Sequence, residues 1–270
     1  MQHHHAHLAA CLAEHGEAGP VIGVACDGLG YGLDGALWGG EVFDVTLAGF
    51  SRVAHLEPAP LPGGTTAIRQ PWRTAVSWLR AAGVTLPGFA ERVGPAYRGV
   101  ERLLDSALDL PVTTSVGRLF DAVSALCGVR DVVRYEGQAA IELERLVDPS
   151  VTEGYPAPVA EGVVAASALV RGVVADLREG TAVPVVAARF HLGLAAALVT
   201  AAADAARVFG RDTVALSGGV FQNQVLLEAV RAGCERAGLR VLVPSRLPCN
   251  DAGISLGQVA VAASLSGRGV

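Results

Sequence analysis

"ALSGGVFQN", residues 215–223, has the pattern of a buried strand, a Gly-Gly turn and the start of a helix. In such a unit the N-terminus of the helix faces the turn, so its backbone N–H groups can bind an anion such as a phosphate. The stretch matches neither the Walker A motif nor the dinucleotide-binding fingerprint. Taken alone, it is compatible with a nucleotide loop and equally with an ordinary tight turn.

A second glycine-rich stretch, "DGLGYGLDG" (27–35), follows the apolar run "VIGVACDG" (21–28), which predicts a buried strand that ends in the glycines. Asp27 would then stand at the strand end, where glycines let backbone N–H groups approach an anion or a carbonyl. Residues 35–47 and 50–58 predict two further strands, antiparallel because their connections are short. The result is a three-stranded meander.

The remaining pattern predicts an α/β protein divided near residue 110. A loop at 60–66 leads into a helix through Trp78, with Thr65 or Thr66 as its cap. Residues 149–162 have the composition of a surface loop. Beyond Pro111 the periodicity predicts helices at 116–127, 138–147, 160–179 and 184–209, a strand at 213–218, a helix at 222–237, a strand at 239–244 and a closing helix from 251.

Composition limits the function. The 270 residues are 51% hydrophobic and 17% charged, which is typical of a compact globular chain with a sizeable core. The net charge of −5 gives no electrostatic reason to expect nucleic acid as a partner. All 21 basic residues are arginine, so lysine nucleophiles and Schiff bases are excluded.

Five scattered cysteines without a C-x-x-C pair predict neither a disulfide framework nor a zinc knuckle, and they favour a reducing cytoplasm. The most apolar segment, residues 182–210, is interrupted by Arg189, His191 and Asp204. Its uncharged runs are too short to span a bilayer, so we expect a buried helix and no membrane partner.

The chain opens on "MQHHHAHLAACLAEHG" (1–16), which raises the question of an affinity tag or a metal site. Ala6 interrupts the histidine run and helical periodicity follows, so the stretch is interpreted as native. His3 and His7 are four residues apart and share one face of a helix, whereas His4 and His5 are predicted to point elsewhere. A fraying helix start is the structural alternative. A metallopeptidase is disfavoured because the H-E-x-x-H glutamate is missing.

"CNDAGISLGQ" (249–258) places Asp251 just before a helix of small residues, where taken alone it predicts an N-cap. Considered with the other motifs, however, it completes a set. The stretches "QHHHAHLAACLAEHG", "DGLGYGLDGALWGGE", "LPGGTTAIRQPWR", "GRLFDAVSALCGV", "RYEGQAAIELE", "ARFH", "LSGGVFQNQVLLE" and "NDAGISLGQ" occur in this order over essentially the whole chain.

This set resembles the HypF family, carbamoyltransferases of nickel–iron hydrogenase maturation, and in particular their C-terminal domain, which is related to the threonylcarbamoyl transferases of tRNA modification. The resemblance implies an actin-like ATPase (ASKHA) fold with two lobes around a nucleotide cleft. Lobe I would comprise residues 1–110, lobe II residues 111–249, and a C-terminal helix in 250–270 would return to lobe I.

The resemblance also implies site residues. His3, His7 and Asp251 would bind a divalent metal, Fe(II) or Zn(II), with Asp27 as a catalytic residue facing the metal and phosphates. Asp121 and Glu142 would accept hydrogen bonds from ribose hydroxyls of ATP or carbamoyl-adenylate. The full set implied for the nucleotide is Asp121, Gly137, Glu142, Gly218, Gly219 and Asn223.

The function implied is transfer of a carbamoyl group from carbamoyl-adenylate to the C-terminal cysteine of the partner HypE. Domains that precede this region in the family are absent from the chain, from which we expect an N-terminally truncated gene product. Two alternatives stay open: a threonylcarbamoyl transferase acting on tRNA, and a non-catalytic nucleotide-binding fragment.

Overall fold

A mixed β-sheet forms the centre of the computed structural model, which describes residues 1–267. The strands are β1 Val21–Tyr31, β2 Leu37–Val45, β3 Phe50–Leu56, β4 Ala59–Pro60, β5 Val112–Thr113, β6 Val159–Ala160, β7 Val163–Val164, β8 Thr213–Ser217 and β9 Arg240–Leu242. They lie in the order β6-β7-β3-β2-β1-β8-β9, with β5 beside β2 and β4 beside β5. β1, β2 and β3 are antiparallel, as predicted, whereas β8 joins β1 and β9 joins β8 in parallel.

Helices cover both faces of this sheet. They are α1 His3–Glu14, α2 Thr65–Arg69, α3 Pro71–Ala82, α4 Phe89–Val93, α5 Ala96–Asp105, α6 Val116–Leu126, α7 Gln138–Glu144, α8 Ala166–Arg178, α9 Val183–Phe209, α10 Gln224–Arg236 and α11 Ile254–Leu265. Two short 3-10 turns, Gly219–Gln222 and Asp251–Gly253, precede α10 and α11. The architecture is the α/β ASKHA-type fold that the resemblance implies.

The sequence of β1 explains its central position. Alternate residues of a strand face opposite sides of the sheet. Ile22, Val24 and Cys26 belong to the large core shared with α6 and α9, whereas Val21 and Ala25 pack into a second core beneath α1. Because both faces are covered, the strand is a continuous apolar run, as is usual for strands buried on both sides.

α1 lies between the sheet and α11, and two glycines allow this packing. A Cβ on Gly23 of β1 would collide with Leu8, and one on Gly257 of α11 would collide with the carbonyl of Ala6 and lie 3.0 Å from the Ala10 nitrogen. Gln2 caps α1 by accepting a hydrogen bond from the His5 N–H at 2.8 Å. The histidine helix is therefore an interior element, and the alternative of a fraying start is wrong.

Several predicted boundaries are wrong. β1 continues to Tyr31, because Gly30 pairs with Trp38 after an irregularity in register, so the turn shrinks to residues 32–36. Gly64, and neither Thr65 nor Thr66, occupies the N-cap of α2. The helix predicted at 160–179 begins only at Ala166, after the β6–β7 hairpin. α4 and α5 were not predicted.

α9 has the length and apolar composition of a membrane span, but 67% of its most apolar window is buried inside the structure. Phe190, Leu194 and Leu198 belong to the large core, as the prediction of a buried helix requires. The predicted boundary near residue 110 does not separate two sheets, since β1 pairs with β8 across it. Whether residues 1–110, 111–249 and 250–270 behave as separate units stays a prediction, although α11 does return to α1 in the part of 250–270 that the structure describes.

We expect Gly257→Ala to destabilise the chain by about 1–3 kcal/mol, because its Cβ has no space against α1. Urea unfolding measures the change. Ser255→Ala, at an exposed position of the same helix, is the matched control and should leave the midpoint unchanged. Equal midpoints for the two variants would show that α11 does not approach α1 this closely.

Candidate functional site

Four side chains from three separate parts of the chain meet at one end of α1. His3 and His7 lie one helical turn apart, Asp27 is in β1, and Asp251 is in the 3-10 turn before α11. Their candidate ligand atoms all lie within 4.8 Å of one another. His7 Nε2 is 3.5 Å from Asp27 Oδ2 and 3.3 Å from Asp251 Oδ1. The structure thus brings together the three predicted metal ligands and adds Asp27 as a fourth.

The chemistry of this four-residue cluster fits a divalent metal. His7 is buried, and its Nε2 has no hydrogen-bond partner among residues 1–267. A buried nitrogen without a partner costs free energy unless something else binds it. Two imidazole nitrogens with two carboxylates are a donor set typical of Zn(II) and of non-haem Fe(II) sites. The Asp251 side chain is 74% exposed, so the cluster opens to solvent on that side.

Asp27 connects the cluster to the Gly-Gly turn. Its Oδ2 lies 2.8 Å from His3 Nε2, and its Oδ1 accepts a hydrogen bond from the Gly219 N–H at 3.2 Å. Burial raises the pKa of the Asp27 carboxyl, but the hydrogen bond from His3 and the nearby imidazoles of His7 and His4 outweigh it, and the net pKa is well below the usual range. The bond to Asp27 in turn raises the pKa of His3 above its ordinary value, against the opposing effect of burial.

The N-cap interpretation of Asp251 is wrong. Asn250 caps the 3-10 turn, since its side chain accepts a hydrogen bond from the Ala252 N–H at 3.1 Å. The carboxylate of Asp251 is therefore free to face His3 and His7, at 3.6 and 3.3 Å.

The prediction that His4 points away from the site is also wrong. Its Nε2 lies 4.0 Å from Asp27 Oδ2, and its ring stands 5.2 Å from that of His3. Burial lowers the pKa of His4 to about 3. Gly30 makes the space, because a Cβ there would contact both imidazoles. His5 does point elsewhere, with its Nε2 2.8 Å from the carbonyl oxygen of Thr46.

The Gly-Gly turn lies directly beside the cluster. Gly218 has φ of 108°, and a Cβ there would collide with the carbonyl of Cys26, so only glycine fits. Asn223 caps α10 by accepting from the Leu226 N–H at 2.9 Å, and its amide nitrogen lies 2.9 Å from Nε2 of the buried His191. The capping role is confirmed. Nucleotide contacts of Gly218, Gly219 and Asn223 stay predictions.

Asp121 lies on the buried face of α6. Its carboxylate pairs with Arg118 at 2.9 Å, and burial, only partly offset by Arg118, raises its pKa to about 6. The N-terminus of α6 is fixed to β1, since Ser115 Oγ lies 2.8 Å from the carbonyl oxygen of Asp27 and 2.7 Å from that of Gly28. α6 is thus attached to the strand that carries Asp27 of the cluster.

Gly137 and Glu142 belong to α7. Gly137 is the N-cap with φ of 74°, and a Cβ there would meet only Ile141, at 3.8 Å. Both oxygens of Glu142 are engaged by Arg130, at 2.7 and 2.8 Å. A ribose hydroxyl would therefore have to share or displace this ion pair.

Sequence reasoning did not select Glu41 as a site residue, although "LWGGE" contains it. Its buried carboxylate accepts from the N–H groups of Gly39 and Gly40, both at 2.6 Å, and from Thr114 and Arg52. Burial raises its pKa to about 7, although these bonds oppose the change. Arg52 also stacks on Trp38 at 4.4 Å. The available signal was a glutamate in the middle of β2, a strand in which Asp44, near the end, is the other charged residue.

Comparisons with known proteins agree with this geometry. The family profile described as "Carbamoyltransferase, Kae1-like Domain, second subdomain" matches residues 23–258. The "Carbamoyltransferase HypF homolog" of Cupriavidus necator is 42% identical over 276 residues.

The chain belongs to the HypF family.

A solved structure, full-length HypF in the phosphate- and nucleotide-bound form, superposes on 98% of this chain with a TM-score of 0.92 and 38% identity. A tRNA N6-adenosine threonylcarbamoyltransferase of Corynebacterium aurimucosum is 30% identical over 94% of this chain and 73% of its own length. The match to the Cupriavidus relative covers 97% of this HypF-family chain and 70% of the relative. The match to the solved full-length HypF covers 36% of that protein.

We expect His7→Ala to abolish stoichiometric Zn(II) binding, because it removes a buried imidazole of the cluster. His15→Ala is the matched control: it lies exposed at the end of the same helix and should leave binding intact. Calorimetric titration of the metal-free chain measures both. Retained stoichiometric binding in folded His7→Ala would contradict the assignment of the cluster.

Zn(II) affinity should weaken as the pH falls from about 8 to about 6, because the imidazoles must be neutral to bind metal and His3 holds its proton more tightly than a free histidine. Titrations in buffers of different ionisation enthalpy report the protons released. Affinity that stays constant over this range would contradict imidazole ligation.

Proposed function

We propose that this chain transfers a carbamoyl group from carbamoyl-adenylate to the C-terminal cysteine thiol of the partner HypE. The observation that carries the proposal is the cluster of His3, His7, Asp27 and Asp251 beside the Gly-Gly turn. It is supported by the family, in which relatives bear the name carbamoyltransferase. We further propose that Fe(II) or Zn(II) occupies the cluster and that the chain acts in the cytoplasm.

When bound, the metal supplies a Lewis acid for a carbamoyl or phosphate oxygen. The residues of the chain fix the positions of the groups that would bind the substrate. Asp27 bonds the Gly219 N–H, so the cluster and the turn keep one spacing. Such fixed spacing is what holds a bound acyl group in a reactive geometry.

The adenylate would lie between the Gly-Gly turn and the α6–α7 pair. Asp121 offers a buried carboxylate as an acceptor for ribose hydroxyls. Gly137 leaves open space before α7, and its positive φ of 74° would strain the backbone of any other residue there. The solved full-length HypF is described as phosphate- and nucleotide-bound, which supports a nucleotide as a ligand in this family.

The acceptor thiol comes from the partner in this proposal. Burial raises the pKa of Cys11 and of Cys127 to about 12, and that of Cys249 above its ordinary value. Thiols with raised pKa values are poor nucleophiles at neutral pH. The thiolate of HypE would form the new S–C bond while the C–O bond to phosphate breaks, and AMP would leave.

Threonylcarbamoyl transfer to tRNA is the second candidate, because a relative of that name is similar over 94% of the chain. The net charge of −5 gives it little electrostatic support. A fragment that binds nucleotide without catalysis is the third. Each predicts a different outcome when the acceptor is varied.

Incubation with synthetic carbamoyl-adenylate, Zn(II) or Fe(II), and HypE should raise the intact mass of HypE by one carbamoyl group. HypE without its terminal cysteine, tRNA as acceptor, and the His7→Ala chain are the controls and should show no transfer. ATP binding without transfer to either acceptor would favour the fragment, and modification of tRNA when threonylcarbamoyl-adenylate replaces carbamoyl-adenylate would favour the second candidate.

Asp121→Asn should weaken ATP binding by roughly 1.5–3 kcal/mol, because a charged acceptor for the ribose is lost. Asp204→Asn is the matched control, since Asp204 also pairs with an arginine three residues away on a helix but lies exposed. Calorimetry on variants shown by circular dichroism to be folded gives the result. Equal ATP affinity for both would remove Asp121 from the nucleotide site.

A further inference from the structure

The imidazole of His4 is not one of the four candidate metal ligands described above. It is completely buried, and its Nε2 has no hydrogen-bond partner among the described residues. The nearest carboxylate oxygen, Asp27 Oδ2, is 4.0 Å away, which is too long for a hydrogen bond. Both Asp27 oxygens already have closer partners, at 2.8 Å from His3 and 3.2 Å from Gly219. His4 therefore presents an unused polar atom at the edge of the cluster.

Gln2 determines which ring nitrogen of His4 carries the proton. The Oε1 of Gln2 accepts from the His5 N–H at 2.8 Å, and its Nε2 donates to the Tyr31 carbonyl at 3.2 Å. A flipped amide would set oxygen against oxygen and N–H against N–H, so these two backbone groups fix its orientation. The same Nε2 lies 3.1 Å from His4 Nδ1. Nδ1 is consequently an acceptor, and the proton of His4 is on Nε2.

A protonated Nε2 cannot be a metal ligand, because ligation uses the nitrogen lone pair. It is a buried donor whose acceptor has to come from outside the protein. Gly30 packs directly against the ring on one side, since a Cβ there would lie 2.8 Å from His4 Nε2 and 2.7 Å from His3 Cδ2. Trp38 packs near the ring, with 6.3 Å between the ring centroids. The nearest carboxylate oxygen belongs to Asp27 of the cluster, so an acceptor for the N–H has to come from the cluster side.

We propose that the Nε2–H of His4 donates a hydrogen bond to an anionic oxygen of the ligand bound at this cluster. Within the proposed function, on which this assignment rests, that oxygen is the carbonyl oxygen of the carbamoyl group. It gains negative charge when the thiolate adds to the carbon and loses it when the C–O bond to AMP breaks. The proton stays on Nε2 throughout, so His4 stabilises charge and transfers nothing.

The first part of the test reads the tautomer directly. 15N NMR of the histidine side chains distinguishes protonated, unprotonated and metal-bound ring nitrogens. We expect His4 to be protonated at Nε2 in both the metal-free and the Zn(II)-loaded chain, while His3 and His7 change on loading. A His4 protonated at Nδ1, or bound to the metal, would overturn the assignment.

The second part uses inorganic phosphate as the oxyanion probe, titrated calorimetrically into the Zn(II)-loaded chain. His4→Phe keeps a ring beside Trp38 and should weaken phosphate binding about tenfold. His4→Gln restores an N–H donor and should recover most of that loss. His5→Phe, a ring exchange on the same helix away from the cluster, should bind phosphate as the wild type does. All three should retain Zn(II).

Three results would overturn the proposal: loss of Zn(II) in folded His4→Phe, unchanged phosphate affinity in that variant, or no phosphate binding by the wild type. Failure of the proposed function is distinguishable. A wild-type chain that binds no Zn(II) contradicts the metal site, whereas the tautomer and the phosphate titration of the metal-free chain still decide the role of His4.

Discussion

The carboxylate of Asp27 is the interaction on which the arrangement of the site depends. Its Oδ2 lies within hydrogen-bond distance of His3 in α1, and its Oδ1 accepts a hydrogen bond from the backbone N–H of Gly219 in the turn after β8. Asp27 and Gly219 are 192 positions apart in the chain. A single buried side chain therefore holds together elements that are distant in sequence. Burying a carboxylate is costly unless it is fully hydrogen-bonded, so the fold must keep both partners in place. The candidate metal cluster and the Gly-Gly turn are consequently linked in space: a Cβ on Gly219 would lie 3.0 Å from Asp27 Oδ1, so a larger residue in the turn would also disturb a candidate metal ligand.

Close backbone approaches make this arrangement possible. Gly30 admits the imidazoles of His3 and His4, and Gly117 lets α6 approach β1, since a Cβ there would lie 2.9 Å from the Cα of Gly28. Gly257 does the same for α11 against α1. Because these side chains are absent, the elements that carry the candidate ligands can pack closely. The four candidate ligand atoms thereby lie within 4.8 Å of one another. Glycine costs conformational entropy, but here the shape of the site requires it.

Much of the fold was predictable because periodicity reports burial. The strands at 21–28, 35–47, 50–58 and 213–218, and the helices around 3–15, 116–127 and 184–209, follow from apolar spacing alone. α4 was missed because it has only five residues between Pro87-Gly88 and Gly94-Pro95. α5 was missed although Tyr97, Val100 and Leu104 have helical spacing, because Gly94 and Pro95 before it indicate a loop. In the site, motif resemblance selected the three candidate metal ligands that the structure brings together, but the place of Asp27 in the cluster and of His4 beside it depends on tertiary packing. Consecutive residues of a helix point about 100° apart, so helical spacing alone predicts that His3 and His4 face different neighbours. Only the position of β1 in the folded chain shows that the same strand contacts both side chains.

The cluster is asymmetric, and the asymmetry bears on how one core serves different acceptors. His7 and Asp27 are buried against the sheet, whereas Asp251 is largely exposed on a short turn. Solvent reaches the cluster chiefly at Asp251, with a 74% exposed side chain, and at His3, which is 25% exposed, so we expect an attacking group to approach from this side. The chain is similar over nearly its whole length to relatives named for carbamoyl transfer and to one named for threonylcarbamoyl transfer to tRNA. In the proposed function the same core would hold the activated group for either acceptor, so discrimination between a protein thiol and a tRNA base would lie in the residues that border the open side. The proposal therefore assigns the chemistry to the buried donors and the choice of acceptor to the exposed residues around Asp251.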